Sequence, residues 1–341
     1  MTDPNLAPRL DQFRDTFRRL NDEIHRAIVG YDDLITDCLT AVFSQGHVLL
    51  EGVPGLGKTY LVKVLARVLG LAPGRVQCTP DLMPSDILGT HIVGEDATGR
   101  RVFRFERGPV FANVLLVDEI NRATPKTQSA LLEVMQERAV TIGGERHVVP
   151  LPFFVLATQN PMEMEGTYPL PEAQLDRFFF KVRVPFPKLE SLVEISKRTS
   201  GFTEPVLAEI LSGPALIEMQ ELLTHVPVAD PITAYAAQLI LATHPEMEPR
   251  SEAKSPAGKA TRFVSYGASP RGLQALVRAA RVFCVLDNRT AVSVEDIRRA
   301  APPALRHRVI LNFEGEAEAV DIDRLIADLI KELTAPGSKV A

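Results

Sequence analysis

The amino-acid sequence predicts an α/β fold: a doubly wound parallel-sheet core at 1–187, followed by an all-helical lid domain at 188–341. Two observations predict it. Short, uninterrupted apolar runs alternate with helical patterns up to about residue 184, whereas the patterns after Lys188 are mostly helical. Uninterrupted apolar runs suit strands that are buried on both faces of a sheet. Their alternation with helices is typical of doubly wound domains.

The first domain opens with a helix and continues with five strand candidates. Apolar residues recur at three- and four-residue steps from Leu10 to Ile28, which predicts an amphipathic helix that ends near Val29-Gly30. The strand candidates are the apolar runs at 47–52, 75–79, 113–119, 152–160 and 178–184.

Two stretches interrupt the alternation of strands and helices. Residues 81–110 hold too many turn residues for one helix, and we interpret them as an insertion with a small hairpin whose tip spans Gly94 to Arg100. Residues 139–149 place Gly143-Gly144 between two β-prone runs, which indicates a second hairpin.

The second domain is predicted from helical patterns after Pro187. The clearest is an apolar stripe from Ile322 to Leu333, which Pro336-Gly337 would end. A polar stretch rich in Pro, Ser and Lys, at 245–263, predicts a flexible loop. The other helical patterns lie at 189–198, 214–223, 231–244, 272–286 and 293–305.

Composition narrows the class of protein. The 341 residues are 45% hydrophobic and 24% charged, as in an ordinary soluble protein, and the net charge of −5 makes nucleic acid an unlikely main partner. No apolar run reaches the roughly 18 residues of a membrane span, and no signal-peptide core follows Met1. The three cysteines lie far apart and the histidines form no metal-ligand pair. We therefore expect a cytoplasmic protein without a membrane segment.

The segment from Gly52 to Thr59 fits the P-loop pattern G-x-x-x-x-G-K-[ST] without a mismatch. Its glycines let successive backbone N–H groups point at phosphate oxygens, Lys58 can reach the β and γ phosphates, and the Thr59 hydroxyl can ligate magnesium. A strand candidate precedes it and a helix follows, as the motif requires. We therefore predict ATP and Mg²⁺ as ligands. The predicted nucleotide-binding residues here are Gly52, Pro54, Gly55, Leu56, Gly57, Lys58, Thr59 and Tyr60.

Two adjacent acids follow the apolar run at 114–117, 60 residues beyond Lys58. A buried strand delivers such carboxylates at its carboxyl end, where ligands bind in open α/β sheets. Asp118 is predicted to hold the magnesium through water, together with Thr59. Glu119 is predicted to polarise the attacking water as general base.

The acidic pair belongs to a set of segments through which the sequence resembles the MoxR family of AAA+ ATPases. The resemblance covers about residues 25–335, nearly the whole chain. The other segments are Asn121-Arg122-Ala123, TQSALLEVMQE (127–137), ATQNP (157–161), EGTYPLPEAQLDRF (165–178), GASPRG (267–272) and RVILNFEGEAEA (308–319).

The resemblance implies roles for polar residues outside the P-loop. Asn160 matches the sensor-1 position, where a neutral amide beside Glu119 can orient the lytic water. Arg177 matches the arginine finger, which serves the nucleotide of the neighbouring subunit; its planar guanidinium suits the charge that develops on the γ-phosphate. Arg271 would lie in the first turn of a lid helix and reach back to the phosphates as sensor 2. Arg122 could cross a subunit boundary or form a structural salt bridge.

Other implications concern the adenine and the two interruptions. Val29 and Gly30 would lie near the adenine through their backbone, whereas Tyr31 departs from the family pattern and is either a base contact or a packed aromatic. Residues 81–110 correspond to the family's helix-2 insert and 139–149 to its pre-sensor-1 hairpin. Charges near their tips, at 100–101 and 145–147, are candidate contacts for a client or solvated loop charges.

The function that the resemblance implies is that of an ATP-hydrolysing ring, expected to be a hexamer, with a chaperone-like role. Its clients would be partner proteins, often with a von Willebrand factor A domain, or proteins that receive a metal cofactor. That step rests on analogy with the family. The alternatives are the ATPase subunit of a metal chelatase and a nucleic-acid motor of the same class. A small-molecule P-loop kinase would have no obvious use for Arg177 or a helical lid.

Overall fold

The central sheet of the computed structural model has five parallel strands in the order β2-β5-β8-β1-β9. The structure describes residues 6–95, 101–162, 166–200, 205–245 and 262–333. All five strand candidates are confirmed, each shifted by at most two residues at either end. The strands are β1 (Val48–Glu51), β2 (Pro73–Gln77), β5 (Val114–Asp118), β8 (Phe154–Gln159) and β9 (Phe180–Arg183).

Helices cover both faces of the sheet, as a doubly wound fold requires. Alternate residues of the strands join different apolar clusters: Val48 and Leu50 pack on one face, whereas Leu49 and Leu115 pack on the other. The helices of the core are α1 (Leu6–Ala27), α2 (Asp32–Phe43), α3 (Lys58–Val68), α4 (Pro84–Leu88), α5 (Pro125–Glu137) and α6 (Glu172–Leu175).

Both interruptions contain the hairpin that the sequence predicts. Strand β3 (Gly89–Glu95) pairs with β4 (Arg101–Arg107), and β6 (Ala139–Ile142) pairs with β7 (Glu145–Val148) around Gly143-Gly144. Most of the predicted tip of the first hairpin, residues 96–100, lies outside the described residues, whereas Gly94 belongs to β3. The two hairpins touch, because the rings of Phe105 and His147 stack with centroids 4.1 Å apart.

The lid domain is built mainly from helices, with a short addition that the patterns did not predict. Strands β10 (Val264–Tyr266) and β11 (Ile310–Leu311) form a two-stranded antiparallel ribbon, so the lid is not made of helices alone. Most of the predicted loop at 245–263, and Pro336-Gly337, lie outside the described residues. The helices are α7 (Leu189–Thr199), α8 (Gly213–Thr224), α9 (Asp230–Ala242), α10 (Pro270–Leu286), α11 (Val294–Leu305), α12 (Phe313–Ala317) and α13 (Ile322–Glu332).

The lid packs directly against the start of β9. The Arg308 guanidinium is buried and donates to the carbonyl oxygens of Phe178 and Phe179, at 2.7 and 3.2 Å. Arg306 donates to the carbonyl of Lys181 at 3.0 Å. One apolar cluster runs from the sheet into the lid helices, so the two domains share a core. In the part of the chain that the structure describes, no helix has both the length and the apolar character needed to cross a membrane.

Candidate functional site: a nucleotide cleft and an arginine cleft

The P-loop joins the carboxyl end of β1 to the first turn of α3. Gly55 and Gly57 have left-handed φ angles of 82° and 75°, which side-chain-bearing residues rarely adopt. No side chain caps the amino end of α3, and its first N–H groups lie at the end of the loop. The Lys58 ammonium donates to the carbonyl of Gly52 at 2.5 Å, which holds the lysine across the loop. This is an arrangement suited to an anion.

The two acids lie where the sequence predicts, at the end of the fully buried strand β5. The Thr59 hydroxyl lies 3.5 Å from Asp118 Oδ2, so the two predicted magnesium ligands are adjacent. Glu119 has a left-handed φ of 56°, and its N–H donates to the Thr158 hydroxyl at 2.8 Å. The β5 backbone therefore turns sharply at Glu119, and the β8 side chain Thr158 holds that turn in place.

Three further polar side chains hold the acids, and two of them were missed by the sequence reasoning. Arg75 Nε donates to Asp118 at 3.0 Å, and Gln77 donates to Glu119 at 3.3 Å. Both lie on β2, the strand next to β5, two residues apart and therefore on one face. Arg122 donates to Glu119 at 3.1 Å. Within the chain it therefore forms a structural salt bridge, one of the two alternatives that the sequence left open for this residue.

Asn160 follows β8 and is almost fully buried. Its Oδ1 accepts a hydrogen bond from the Met162 N–H at 3.1 Å, which fixes the side chain at the edge of the sheet. Asn160 shares one cleft, the nucleotide cleft, with the P-loop and the acids. The nucleotide cleft is lined by Pro54, Gly55, Gly57, Lys58, Thr59, Tyr60, Arg75, Gln77, Asp118, Glu119, Thr158 and Asn160.

An apolar cavity of about 320 Å³ adjoins the P-loop. Val29, Tyr31 and Leu56 line it, and Leu192 on α7 closes it from the lid side. Gly30 lies just outside this cavity, where a Cβ would come within 2.9 Å of Ser191 Oγ. Burial raises the pKa of Tyr31, and within the described residues its buried hydroxyl has no hydrogen-bond partner. An apolar cavity beside a phosphate-binding loop fits an adenine ring.

The two predicted lid and finger arginines do not join the nucleotide cleft. Arg177 precedes β9 and Arg271 lies in the first turn of α10, as predicted, but both line a second cleft beside Gly46. Gly46 precedes the amino end of β1, whereas the P-loop follows its carboxyl end. Within one chain, Arg271 therefore lies at the opposite end of the sheet from the P-loop, because the lid helix α10 packs there. Its predicted role as sensor 2 stays a prediction.

We call this second site the arginine cleft. Arg177 donates to the carbonyl of Leu132 at 2.9 Å, and Arg271 Nε lies 3.9 Å from Asp176 Oδ2. Arg308 donates to the same carboxylate at 2.8 Å. The arginine cleft is lined by the guanidinium-bearing residues Arg138, Arg177, Arg271, Arg278 and Arg308, together with Asp176, Gln45, His47 and Phe179.

Comparisons with known proteins agree with this geometry. The family model described as ATPase family associated with various cellular activities (AAA) matches residues 47–180, and an AAA lid domain model matches residues 259–329. The first match runs from the residue before β1 to the first residue of β9 and includes the P-loop and the acids. The second spans the lid from just before β10 into α13.

Individual relatives cover nearly the whole chain. Chaperone MoxR1 of Mycobacterium tuberculosis is 44% identical over 322 residues, which are 94% of this chain and 82% of that protein. Protein MoxR of Methylorubrum extorquens is 36% identical over 335 residues, 94% of both chains. A solved structure from Cytophaga hutchinsonii, of a protein assigned as an ATPase, has a TM-score of 0.87 and 38% identity, and the match covers 95% of this chain and 96% of that one. The chain belongs to the MoxR family of AAA ATPases.

Proposed function

We propose that this protein hydrolyses ATP in the nucleotide cleft. The observation that carries the proposal is the convergence of Lys58, Thr59, Asp118, Glu119 and Asn160 on one cleft at the carboxyl edge of the sheet. An ammonium, a hydroxyl, two carboxylates and an amide are the groups that phosphoryl transfer to water requires. The adjoining apolar cavity accounts for the base of the nucleotide.

The residues of the cleft fit Mg²⁺ that arrives with the nucleotide. Thr59 and Asp118 supply two adjacent oxygen ligands, and Arg75 at present balances the charge of the carboxylate. Within the described residues, no three His, Cys, Asp or Glu side chains gather as a metal site of their own. When bound, Mg²⁺ would neutralise charge on the β and γ phosphates.

The chain's own groups divide the chemistry among them. Lys58 would bind the β and γ phosphates once it leaves the Gly52 carbonyl. Glu119 would take the proton of the attacking water, and its carboxylate is already oriented by Gln77 and Arg122. Asn160 would orient the same water, since its amide is held rigidly at the adjacent strand end.

We further propose that the protein works as a ring, expected to be a hexamer. Arg177 and Arg271 lie at the opposite edge of the sheet from the P-loop, so they suit the nucleotide of a neighbouring subunit rather than that of their own. A head-to-tail interface that brings one edge against the other forms a ring when it closes. Arg271 then serves as sensor 2 in trans, beside the arginine finger Arg177.

The role of the ring is proposed to be chaperone-like, as the name of the mycobacterial relative MoxR1 suggests. Its clients would be partner proteins, for instance with a von Willebrand factor A domain, or proteins that receive a metal cofactor. The client, the loop that contacts it and the cytoplasmic location stay predictions. The domain boundary near residue 187 is likewise still a prediction, because the core and the lid share one apolar cluster.

The test is nucleotide-linked assembly. Mass would be measured by light scattering at several protein concentrations with Mg²⁺ and ATP, using Glu119→Gln to retain the nucleotide, and ATP turnover would be measured for the wild type and Arg177→Ala. We expect a ring of about six subunits and turnover that depends on Arg177. A monomer that turns over ATP regardless of Arg177 would overturn the ring and leave an ordinary P-loop enzyme.

A further inference from the structure

The arginine cleft holds more positive charge than the chain itself balances. Five guanidinium groups face one carboxylate, that of Asp176. Arg308 and the Ser269 hydroxyl already hydrogen-bond to this carboxylate, at 2.8 Å each. Arg138 and Arg278 donate to uncharged oxygens, of Gln45 and of the Ser44 carbonyl, and no described carboxylate pairs with either of them.

Like-charge repulsion acts on Arg278, a partly buried member of the cluster. Burial lowers the pKa of Arg278, and the neighbouring Arg138 and Arg281 lower it further. Cations held this close without an anion cost free energy. A multiply charged anion from outside the chain would relieve that cost, whereas one carboxylate would balance only one of the guanidinium groups.

Arg138 is held in the cleft by unusual backbone. It follows α5 with a left-handed φ of 51°, and its guanidinium donates at 3.3 Å to the side chain of Gln45, whose own φ is 53°. The described part of the chain has six non-glycine residues with a left-handed φ. Tyr31 lines the apolar cavity beside the P-loop and Glu119 lines the nucleotide cleft. Together with Gln45 and Arg138 in the arginine cleft, four of the six therefore line either that cleft or the region that would bind the nucleotide. Strained backbone of this kind clusters at functional sites.

A buried histidine fixes the strained turn. His47 Nδ1 accepts from the Val155 N–H at 3.0 Å, so its proton is on Nε2, which donates to the Met135 carbonyl at 3.1 Å. Met135 is three residues before Arg138, in the last turn of α5. The imidazole therefore ties the end of α5 to the amino ends of β1 and β8, and it fixes the backbone turn from which Arg138 extends.

We propose that Arg138, positioned by Gln45, is a further catalytic residue that contacts the terminal phosphates of ATP bound to the adjacent subunit, beside Arg177 and Arg271. The proposal rests on the ring described above. A triphosphate supplies the multiple negative charges that the cluster of guanidinium groups lacks, and planar guanidinium donors match phosphate oxygens. The subunit's own nucleotide is at the other end of β1 and cannot supply them.

The first experiment separates chemistry from folding. We expect Arg138→Gln to lower kcat about 10- to 100-fold, with ring assembly at saturating ATP and the thermal midpoint unchanged. Arg138→Gly should lose the same activity and unfold at the same temperature or higher, because glycine adopts a left-handed φ without strain. Arg18→Gln, an exposed arginine on α1, is the matched control. Wild-type kcat in Arg138→Gln, or rings that no longer assemble, would overturn the proposal.

The second experiment tests action across the interface. Lys58→Ala subunits keep an intact arginine cleft, and Arg138→Gln subunits keep an intact P-loop. Mixing the two impaired proteins should give at least several-fold more turnover than either shows alone, because half of the interfaces between unlike subunits combine an intact P-loop with an intact arginine cleft. No restoration would overturn the assignment of Arg138. A parallel mixture of Lys58→Ala with Arg177→Ala tests the ring itself. Restored turnover in this mixture alone would overturn the role of Arg138, whereas no restoration in either mixture would overturn the shared site of the ring.

Discussion

The two clefts at the ends of β1 are chemically complementary, and in the proposed ring both contribute to one reaction. The nucleotide cleft holds the carboxylates of Asp118 and Glu119 and the ammonium of Lys58, whereas the arginine cleft holds five guanidinium groups and one carboxylate. The first can bind a nucleotide and activate water. The second can only stabilise charge on a phosphate that reaches it from another molecule. Their separation within one chain is the structural argument for a shared site between subunits.

The largest predicted effect comes from replacing Arg177, the proposed arginine finger. We expect Arg177→Ala to lower kcat by about 10³-fold, because trans arginines stabilise the transition-state charge by that order. The dissociation constant of ATP for the isolated subunit should not change, since Arg177 is at the other edge of the sheet. Steady-state turnover and equilibrium binding of a fluorescent ATP analogue measure the two quantities.

The control for Arg177→Ala is Arg18→Gln, which should match the wild type in both measurements. An isolated Arg177→Ala subunit that binds ATP tenfold more weakly would show that Arg177 contacts its own nucleotide. The two clefts would then have to approach each other within one chain.

A second prediction concerns the general base. Glu119→Gln should lower kcat about 10²-fold or more while ATP binding persists, because the amide retains the hydrogen bonds to Gln77 and Arg122 but cannot accept a proton. Single-turnover hydrolysis measures the chemical step directly. Glu218→Gln, on the exposed face of α8, removes the same charge elsewhere. Weakened ATP binding with an unchanged chemical rate would contradict the role of Glu119.

A third prediction concerns how the stability of the fold depends on pH through His47, which lines the arginine cleft. Burial lowers the pKa of His47 to about 4, below the roughly 6.5 of an unfolded histidine. Its contribution to the free energy of unfolding is therefore present above about pH 6.5 and is lost as the pH falls toward 4. We expect His47→Gln to be less stable than the wild type by about 1–3 kcal/mol at pH 8, since a glutamine amide cannot bridge the Val155 N–H and the Met135 carbonyl with the geometry of the imidazole.

The measurement is urea denaturation from pH 4.5 to 8, in which the stability of His47→Gln should fall less steeply toward acid than that of the wild type. Burial also raises the pKa of Asp37 to about 7, so protonation of Asp37 increases the stability of the fold as the pH falls, which opposes the effect of His47. Each variant is therefore compared with the wild type, in which Asp37 makes the same contribution. His225→Gln, at an exposed histidine, should keep the wild-type slope. An unchanged slope in His47→Gln would mean that His47 does not titrate with unfolding.

The smallest predicted effect concerns Arg75, which donates to Asp118 and would compete with bound magnesium for that carboxylate. Arg75→Gln should raise the affinity for Mg²⁺-ATP by no more than about fivefold, since the arginine is 55% exposed and such ion pairs contribute under about 1 kcal/mol. Calorimetry with and without EDTA separates the metal-dependent part. A loss of Mg²⁺-ATP affinity in Arg75→Gln would show instead that Arg75 moves onto the phosphates.

The sequence predicted most of the nucleotide cleft because its parts are local. The P-loop and the Asp118-Glu119 pair each lie within a few residues of a strand end, so the parallel sheet brings them together without further information. Arg75 and Gln77 escaped notice because their partners lie more than 40 residues away. Only the neighbouring position of β2 and β5 connects them. The spacing of two polar residues on one strand face was the available signal.

The arginine cleft could not be predicted to the same extent. The helical position of Arg271 followed from Ser269-Pro270, but the edge of the sheet that it faces depends on how α10 packs against α2 and on the contacts of Arg308 with β9. The ribbon of β10 and β11 has strands of only three and two residues, too short for an apolar pattern. Left-handed backbone at Arg138 has no signature in the residue type.

Strand β1 has only four residues, which at about 3.3 Å each separate its ends by roughly 13 Å. It is the central connection between the P-loop and His47, and strands β8 and β9 pair with it along its full length. In a ring assembled as proposed, β1 of each subunit would rigidly connect two nucleotides. One would be bound in the subunit's own nucleotide cleft, and the other would be contacted by its arginine cleft. A displacement at one nucleotide would then reach the next with little loss, and the timing of successive hydrolysis events would be set by rigid-body mechanics.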